Sequence, residues 1–219
     1  MPHAPHHITQ RGNRSQPVFF SEDDYRAYLT LMAEWCGKHA LRVWAYCLMP
    51  NHVNLILVPP SEDALCRGVG EMHRRYSRRV NFREGWRGHL WQGRFASFVM
   101  DEPYLIAAAR YVERNPVRAK LVARAEDWPF SSAAAHVGRR ADPLVEGGWL
   151  DELTAGWVCT WKQYLADADD PSLGKRLHRH ERTGQPLGER TFLKRIGDLL
   201  GRDLIPKKPG PKPKPKQGN

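Results

Sequence analysis

The 219-residue sequence has few cysteines, and none of the four (Cys36, Cys47, Cys66 and Cys159) stands in a CxxC pair. That excludes a disulfide scaffold and a structural zinc site of the usual spacing, and it fits free thiols in a reducing cytoplasm. Long apolar runs are missing too. No stretch approaches the ~20 residues of a membrane span, and the N-terminal "MPHAPHHITQRGN" lacks the apolar segment of a signal peptide. The expectation is a cytoplasmic protein without a membrane partner. Acidic residues are in deficit: 24 Asp and Glu against 34 Lys and Arg leave a net charge of +10. Such a field favours polyanions, nucleic acid before an anionic membrane surface, although a merely basic soluble protein has the same total. Internal repeats are absent, and 41% hydrophobic residues suffice for a packed core.

What is present reads as an ordered series of elements. "HHITQRGN" is a short strand running into a turn at Gly12-Asn13. Ser21 before Glu22, Asp23 and Asp24 is helix-start chemistry, and Tyr25, Leu29, Met32 and Trp35/Cys36 then share one helical face. "LRVWAYCLM" alternates Leu41, Val43, Ala45 and Cys47 against Arg42, Trp44, Tyr46 and Leu48. It forms a hairpin with "HVNLILV" through Pro50-Asn51. A second helix spans "EDALCRGVGEMHRRYSRRVNF", and "RFASFVM" is a fourth strand. A third helix opens at Asp101, with Pro103 in its first turn, and runs to about Arg114. The order β-α-β-β-α-β-α predicts an α+β, ferredoxin-like (split βαβ) antiparallel sheet with helices on one face and the other face free for a ligand. Residues 1–130 form this domain. A helical extension follows over 131–205, including "WVCTWKQYLAD" and "TFLKRIGDLLG". The Lys-Pro tail 206–219 has no acidic residue and is expected to be disordered.

Two segments carry residues suited to chemistry. In "MPNHVNLIL" the strand period turns His52 and Asn54 to one face and Val53 and Leu55 to the other, which sets two potential ligands ~6–7 Å apart. A lone strand histidine is more often structural. In "YVERNPVRAKLV", Tyr111 and Asn115 stand one helical turn apart, before Pro116 ends the helix. Taken alone, these are a core tyrosine and a C-cap. Tyr104 and Tyr76 compete with Tyr111 as reactive phenols.

Together, "MPNHVNLIL" and "YVERNPVRAKLV" resemble the REP-associated branch of the single-tyrosine HUH transposases. "HHITQRGNRSQPVFF", "GHLWQGRF" and "EDWPFSSA" look like further blocks of that family, in order over residues 6 to about 135. "TGQPLGERTFLKRIGDLLGR" is similar to the family's C-terminal extension. The resemblance implies a monomeric, metal-dependent nuclease and strand transferase acting on single-stranded or hairpin DNA. It makes Tyr111 the nucleophile, and His52, Asn54 and Asn115 the ligands of a divalent ion, Mg²⁺ or Mn²⁺. The family pattern has a second histidine where this chain has Asn54. An amide oxygen suits Mg²⁺ but holds it weakly. Three outcomes follow: an enzyme biased towards Mg²⁺, an enzyme needing high metal, or a hairpin-DNA-binding protein that no longer cuts.

Arg11, Asn13 and Arg14 in "RGNRSQ", Arg74, Arg75 and Arg78 in "HRRYSRR", and Arg118 after the Tyr-Asn pair are candidate DNA contacts. Trp91 and Arg94 in "LWQGRF" add an aromatic for base stacking with a phosphate contact beside it. The tail should contribute non-specific affinity. Deleting residues 206–219 is expected to flatten the salt dependence of DNA binding, and an unchanged slope would exclude the tail from the interface.

Overall fold

The computed structural model describes residues 1–157, 159–168 and 170–205, without the side chain of Pro171. The Lys-Pro segment 206–219 lies outside the described residues. Strand β1 (His6–Arg11), helix α1 (Glu22–Lys38), the hairpin β2 (Arg42–Met49) and β3 (His52–Val58), helix α2 (Ala64–Glu84) and strand β4 (Ala96–Val99) come in the expected order. The strands pair antiparallel throughout in the order β2-β3-β1-β4. This is the split βαβ sheet, and each pairing follows from a β-branched or aromatic run bounded by a turn.

Helices α1 and α2 cover one face. Their Tyr28, Met32, Met72 and Tyr76 pack with Ile8, Val53, Leu55 and Leu57 of the sheet in a single apolar cluster. Ser21 stands at the N-cap of α1 in extended conformation but makes no side-chain cap bond. The Asp24 carboxylate instead accepts from the Phe20 backbone N–H at 2.9 Å and from the Arg83 guanidinium of α2, so the start of one helix is tied to the end of the other. Gly12, at the turn after β1, is required by space: a Cβ there would stand 2.3 Å from the Gln16 carbonyl oxygen.

The second face differs from expectation. Helix α3 (Glu102–Glu113) and the C-terminal helices α6 (Trp149–Leu153), α7 (Trp161–Ala166) and α8 (Pro171–Thr183) form a second core on it, with Ala45, Cys47, Ile56 and Phe98 from the sheet. The strict alternation read in β2 fails at Trp44. A register shift between Val43 and Ala45 lets Val43 and Tyr46 join the first core while Ala45 and Cys47 join the second. A bulge of this kind re-aims every side chain beyond it. The small side chains that result meet Ala108 and Ala109 of α3 in the second core.

Helix α3 opens as expected, with the Asp101 side chain accepting from the Tyr104 N–H at 3.2 Å. Pro116 does not stop the helical path. After a kink at Arg114 (φ −83°, ψ 0°) a further turn, α4 (Asn115–Arg118), carries on. One buried carboxylate anchors this helix. Glu113 is fully buried and accepts from Ser132 Oγ at 2.5 Å, His136 Nδ1 at 2.5 Å and Trp161 Nε1 at 2.8 Å. His136 closes α5 (Ala133–His136), and Ser132 Oγ also accepts from the Tyr46 N–H at 3.0 Å. Helix α3 is thereby bound to sheet and extension at once.

The extension also meets both sheet edges. On β2, Leu48 N–H bonds to Phe130 O and Glu146 N–H to Val43 O; on β4, Leu187 N–H bonds to Val99 O. Helix α9 (Arg190–Leu200) closes a smaller cluster of Phe192, Leu193 and Ile196 with Ala4 and Val99.

Burial lowers the affinity of His136 for a proton, but the charge and hydrogen bond of Glu113, with Asp142 and Asp151 nearby, together outweigh it and raise the pKa above the ordinary imidazole value. The pair therefore stabilises the fold fully below pH ~6.5, and that contribution fades as pH rises through the folded-state pKa. Glu113→Gln is expected to cost about 3 kcal/mol in urea unfolding and to remove this pH dependence.

Candidate active site

The register of the sheet places the site. On the second face, Arg11 pairs with His52, Thr9 with Asn54 and His7 with Ile56 across β1 and β3. Paired residues share a face, so five polar side chains (His7, Thr9, Arg11, His52 and Asn54) lie where α3 does not reach. All but the fully buried His7 floor a cavity of about 510 Å³ whose lining also includes Tyr111, Asn115, Arg94, His178, Glu181 and Arg182. The four residues named for chemistry, His52, Asn54, Tyr111 and Asn115, thus meet in one place. The kink at Arg114 does not separate the last two. Of the competing tyrosines, Tyr76 is buried in the first core with its hydroxyl donating to the Val18 carbonyl at 2.6 Å, and Tyr104 receives Arg176. Neither lines the cavity.

Hydrogen bonding assigns the His52 ring. Asn51 donates its amide N–H to the Ser15 carbonyl at 3.2 Å, which turns its oxygen to His52 Nδ1 at 2.6 Å. Nδ1 must then carry the proton, and Nε2 keeps the lone pair. Burial, then the Arg11 charge, lowers the His52 pKa to about 4, so the ring is neutral at physiological pH. Asn115 lines the same cavity. The amide nitrogens of Asn54 and Asn115 are buried without hydrogen-bond partners among the described residues. Buried amides rarely stand so, and their other atom is a good oxygen donor. A neutral imidazole oriented by a second residue, beside two such amides, fits a hard divalent cation. The fit is a lean one: no cluster of three His, Cys, Asp or Glu side chains suited to a metal occurs among the described residues.

Tyr111 is held by its neighbours. The Arg118 guanidinium lies over its ring with Cζ 3.7 Å from the centroid, and it also donates to the Tyr111 carbonyl at 2.8 Å. Arg118 is therefore packed on the tyrosine. Burial raises the Tyr111 pKa above the ordinary phenol value, and Arg118 opposes the rise without cancelling it. The phenol is protonated at neutral pH.

The candidate DNA contacts divide. Arg11 and Arg94 line the cavity. Asn13 and Arg14 sit in the turn after β1, with Arg14 exposed in left-handed conformation at φ 52°. Arg74 and Arg75 are placed elsewhere: both pair with Glu71 on α2, which packs on the opposite face of the sheet, and Arg75 stacks on Trp35. Arg78 is exposed on the same helix. Trp91 lies away from the cavity: it is 6% exposed in the first core, and its indole N–H donates to the His73 carbonyl at 3.3 Å. The "LWQGRF" stretch instead brings Gln92, Gly93 and Arg94 to the cavity.

Helix α8 supplies residues that sequence reasoning missed. Its start was legible in Asp170-Pro171, where Asp170 caps Ser172 N–H at 2.8 Å, and His178 and Glu181 stand at helix-neighbour spacing. Nothing local shows that this face meets Tyr111.

A family profile described as "Transposase IS200 like" matches residues 3–115. The chain therefore belongs to the IS200-like transposase family. It is 23% identical over 146 residues to a Haemophilus influenzae protein named as a REP-associated tyrosine transposase, covering 58% of this chain and 83% of that one. Among solved structures it is similar to a REP-associated tyrosine transposase bound to a REP hairpin, with a TM-score of 0.51 at 20% identity over 68% of this chain and 87% of the other. That likeness extends to the fold. No helix among the described residues is long and apolar enough to cross a membrane.

Trp91→Ala is expected to destabilise the protein by about 3–5 kcal/mol in chemical unfolding. Trp86→Ala, at a tryptophan 45% exposed, should cost under about 1 kcal/mol.

Proposed function

We propose that the protein is a single-stranded DNA endonuclease and strand transferase acting at hairpin DNA through a covalent phosphotyrosine. The observation that carries the reading is the convergence of Tyr111, His52, Asn54 and Asn115 on one cavity with arginines at its rim. Family membership and the hairpin-bound structural relative support it. In this reading Arg11, Arg94 and Arg182 hold phosphates of the strand, and the Tyr111 hydroxyl faces the scissile one. The Tyr111 oxygen bonds to phosphorus as the bond to the 3′-oxygen breaks. That leaves a 5′-phosphotyrosine and a free 3′-hydroxyl, so the bond energy is conserved for rejoining without ATP. His52 through Nε2, with the amide oxygens of Asn54 and Asn115, would hold Mg²⁺ or Mn²⁺; such an ion, when bound, polarises a non-bridging phosphate oxygen. Asn51 and Arg118 act as orienting groups, one fixing the imidazole tautomer and the other the phenol ring.

The amide at position 54 favours a second reading, a hairpin-binding protein whose cleavage is lost. Incubation with a labelled single-stranded hairpin, across Mg²⁺ and Mn²⁺ titrations, separates the two. The wild-type chain is expected to form a denaturation-resistant protein–DNA adduct that Tyr111→Phe abolishes. Asn54→His should raise the yield at low metal by tenfold or more, since 1.4 kcal/mol of metal affinity is a factor of ten. Binding without any adduct at every metal concentration would leave only the second reading. No gain from Asn54→His would remove that residue from the ligand set.

A further inference from the structure

The reaction proposed for Tyr111 begins with a phenol that burial keeps protonated, and none of the residues discussed so far takes its proton. In that reading the free nitrogen of His52 is committed to the metal, Arg118 is a permanent cation, and the two asparagines are neutral. Helix α8 offers a group of the right kind. His178 Nε2 stands 3.4 Å from the Tyr111 hydroxyl, with the two rings edge to face at 87°. On the other side of the imidazole, Nδ1 lies 2.9 Å from Glu181 Oε2. A carboxylate is acceptor-only, so Nδ1 must donate and Nε2 presents its lone pair to the phenol. The helix comes close enough that a Cβ at Gly174 would stand 3.4 Å from Tyr111 Cε2.

We propose that His178 is the proton acceptor for Tyr111 and that Glu181 positions it, so the C-terminal extension completes an active site begun by α3. This deepens the nuclease reading and rests on Tyr111 being the nucleophile. As the Tyr111 oxygen bonds to phosphorus, its proton passes to His178 Nε2. The P–O3′ electron pair leaves with the 3′-oxygen, which takes a proton from water. On rejoining, the 3′-hydroxyl attacks and loses its proton to water, and the imidazolium returns its own to the departing phenolate. A separation of 3.4 Å is long for a hydrogen bond but usual for a catalytic pair before substrate tightens it. The flanking groups suit the role. The hydrogen bond to Glu181, then its charge, raises the basicity of His178 against burial, Arg11 and Arg118. Burial would neutralise the Glu181 carboxyl, but the hydrogen bond from His178 and the charge of that imidazole hold its pKa below the ordinary carboxyl value. Glu181 Oε1 is 4.0 Å from the fully buried His7, so the carboxylate has polar neighbours on both sides.

The test measures the single-turnover rate of adduct formation by the full chain at saturating hairpin DNA in Mg²⁺. His178→Ala is expected to slow the reaction by 10²- to 10⁴-fold, the range of general-base contributions, and added imidazole should restore at least a tenth of the lost rate. The wild type already carries an imidazole at this position, so its rate should be insensitive to the same additive. Glu181→Ala should slow the reaction 10- to 100-fold. Glu181→Gln, which keeps an acceptor for the Nδ1 proton, should recover most of that loss. A His178→Ala rate within threefold of wild type overturns the proposal, as does a loss that imidazole leaves untouched. In either case an adduct that forms in the wild type and vanishes in Tyr111→Phe leaves the nuclease reading standing. An adduct that survives Tyr111→Phe removes that reading and the proposal with it.

Discussion

The arrangement of the molecule depends on one buried anion. Glu113 has no contact with solvent, and both of its oxygens are taken by three groups from two later segments of chain, α5 with its N-cap and α7. Removing a carboxylate from water costs several kcal/mol, recovered only when every lone pair finds a good donor. Ser132 before α5, the histidine at the end of α5 and the indole opening α7 must therefore all be in place before this end of α3 can be buried. Tyr111 lies two residues before Glu113 and Asn115 two residues after it, so the carboxylate that fastens the helix also fixes the two side chains presented to the cavity.

The remaining geometry follows from where the sheet is greasy and where it is not. Under α3 the strands offer Ala45, Cys47 and Ile56, and a helix of alanines can approach closely. Along β1 and the near end of β3 the same face changes to His7, Thr9, Arg11, Asn54 and His52. A helix packed flush on Thr9, Arg11 and His52 would strand their polar groups, and there a cavity remains between α3 and α8. The bulge at Trp44 matters here because it brings Ala45 and Cys47 under α3, while Trp44 itself stacks on Trp149 of α6 at the margin of the same core.

Much of this was legible in the sequence. Strand alternation put His52 and Asn54 on one face, helical spacing joined Tyr111 to Asn115, and the order of periodic segments specified the sheet. The failures have physical causes. Alternation cannot report an inserted residue, so β2 was read with the wrong phase before Trp44. Composition cannot distinguish a tryptophan that stacks on bases from one that fills a core, and Trp91 is the latter. Arginines on a helix look alike whether or not a Glu71 lies one turn away to engage Arg74 and Arg75. Helix α8 was hidden for another reason: its start has local signals, but its place beside Tyr111 is set by contacts some sixty residues distant in the chain, which no short window contains.

The hydrogen bonds that the extension makes along β2 and β4 have a further meaning. An open sheet ordinarily ends in two rows of unpaired amides and carbonyls, each a template on which another chain can add a strand. Here Phe130 to Ser132 and Val145–Glu146 occupy one rim and Leu187 the other. Where these segments bond, the molecule cannot recruit a neighbour by lateral strand addition, and self-association would have to use its helical surfaces.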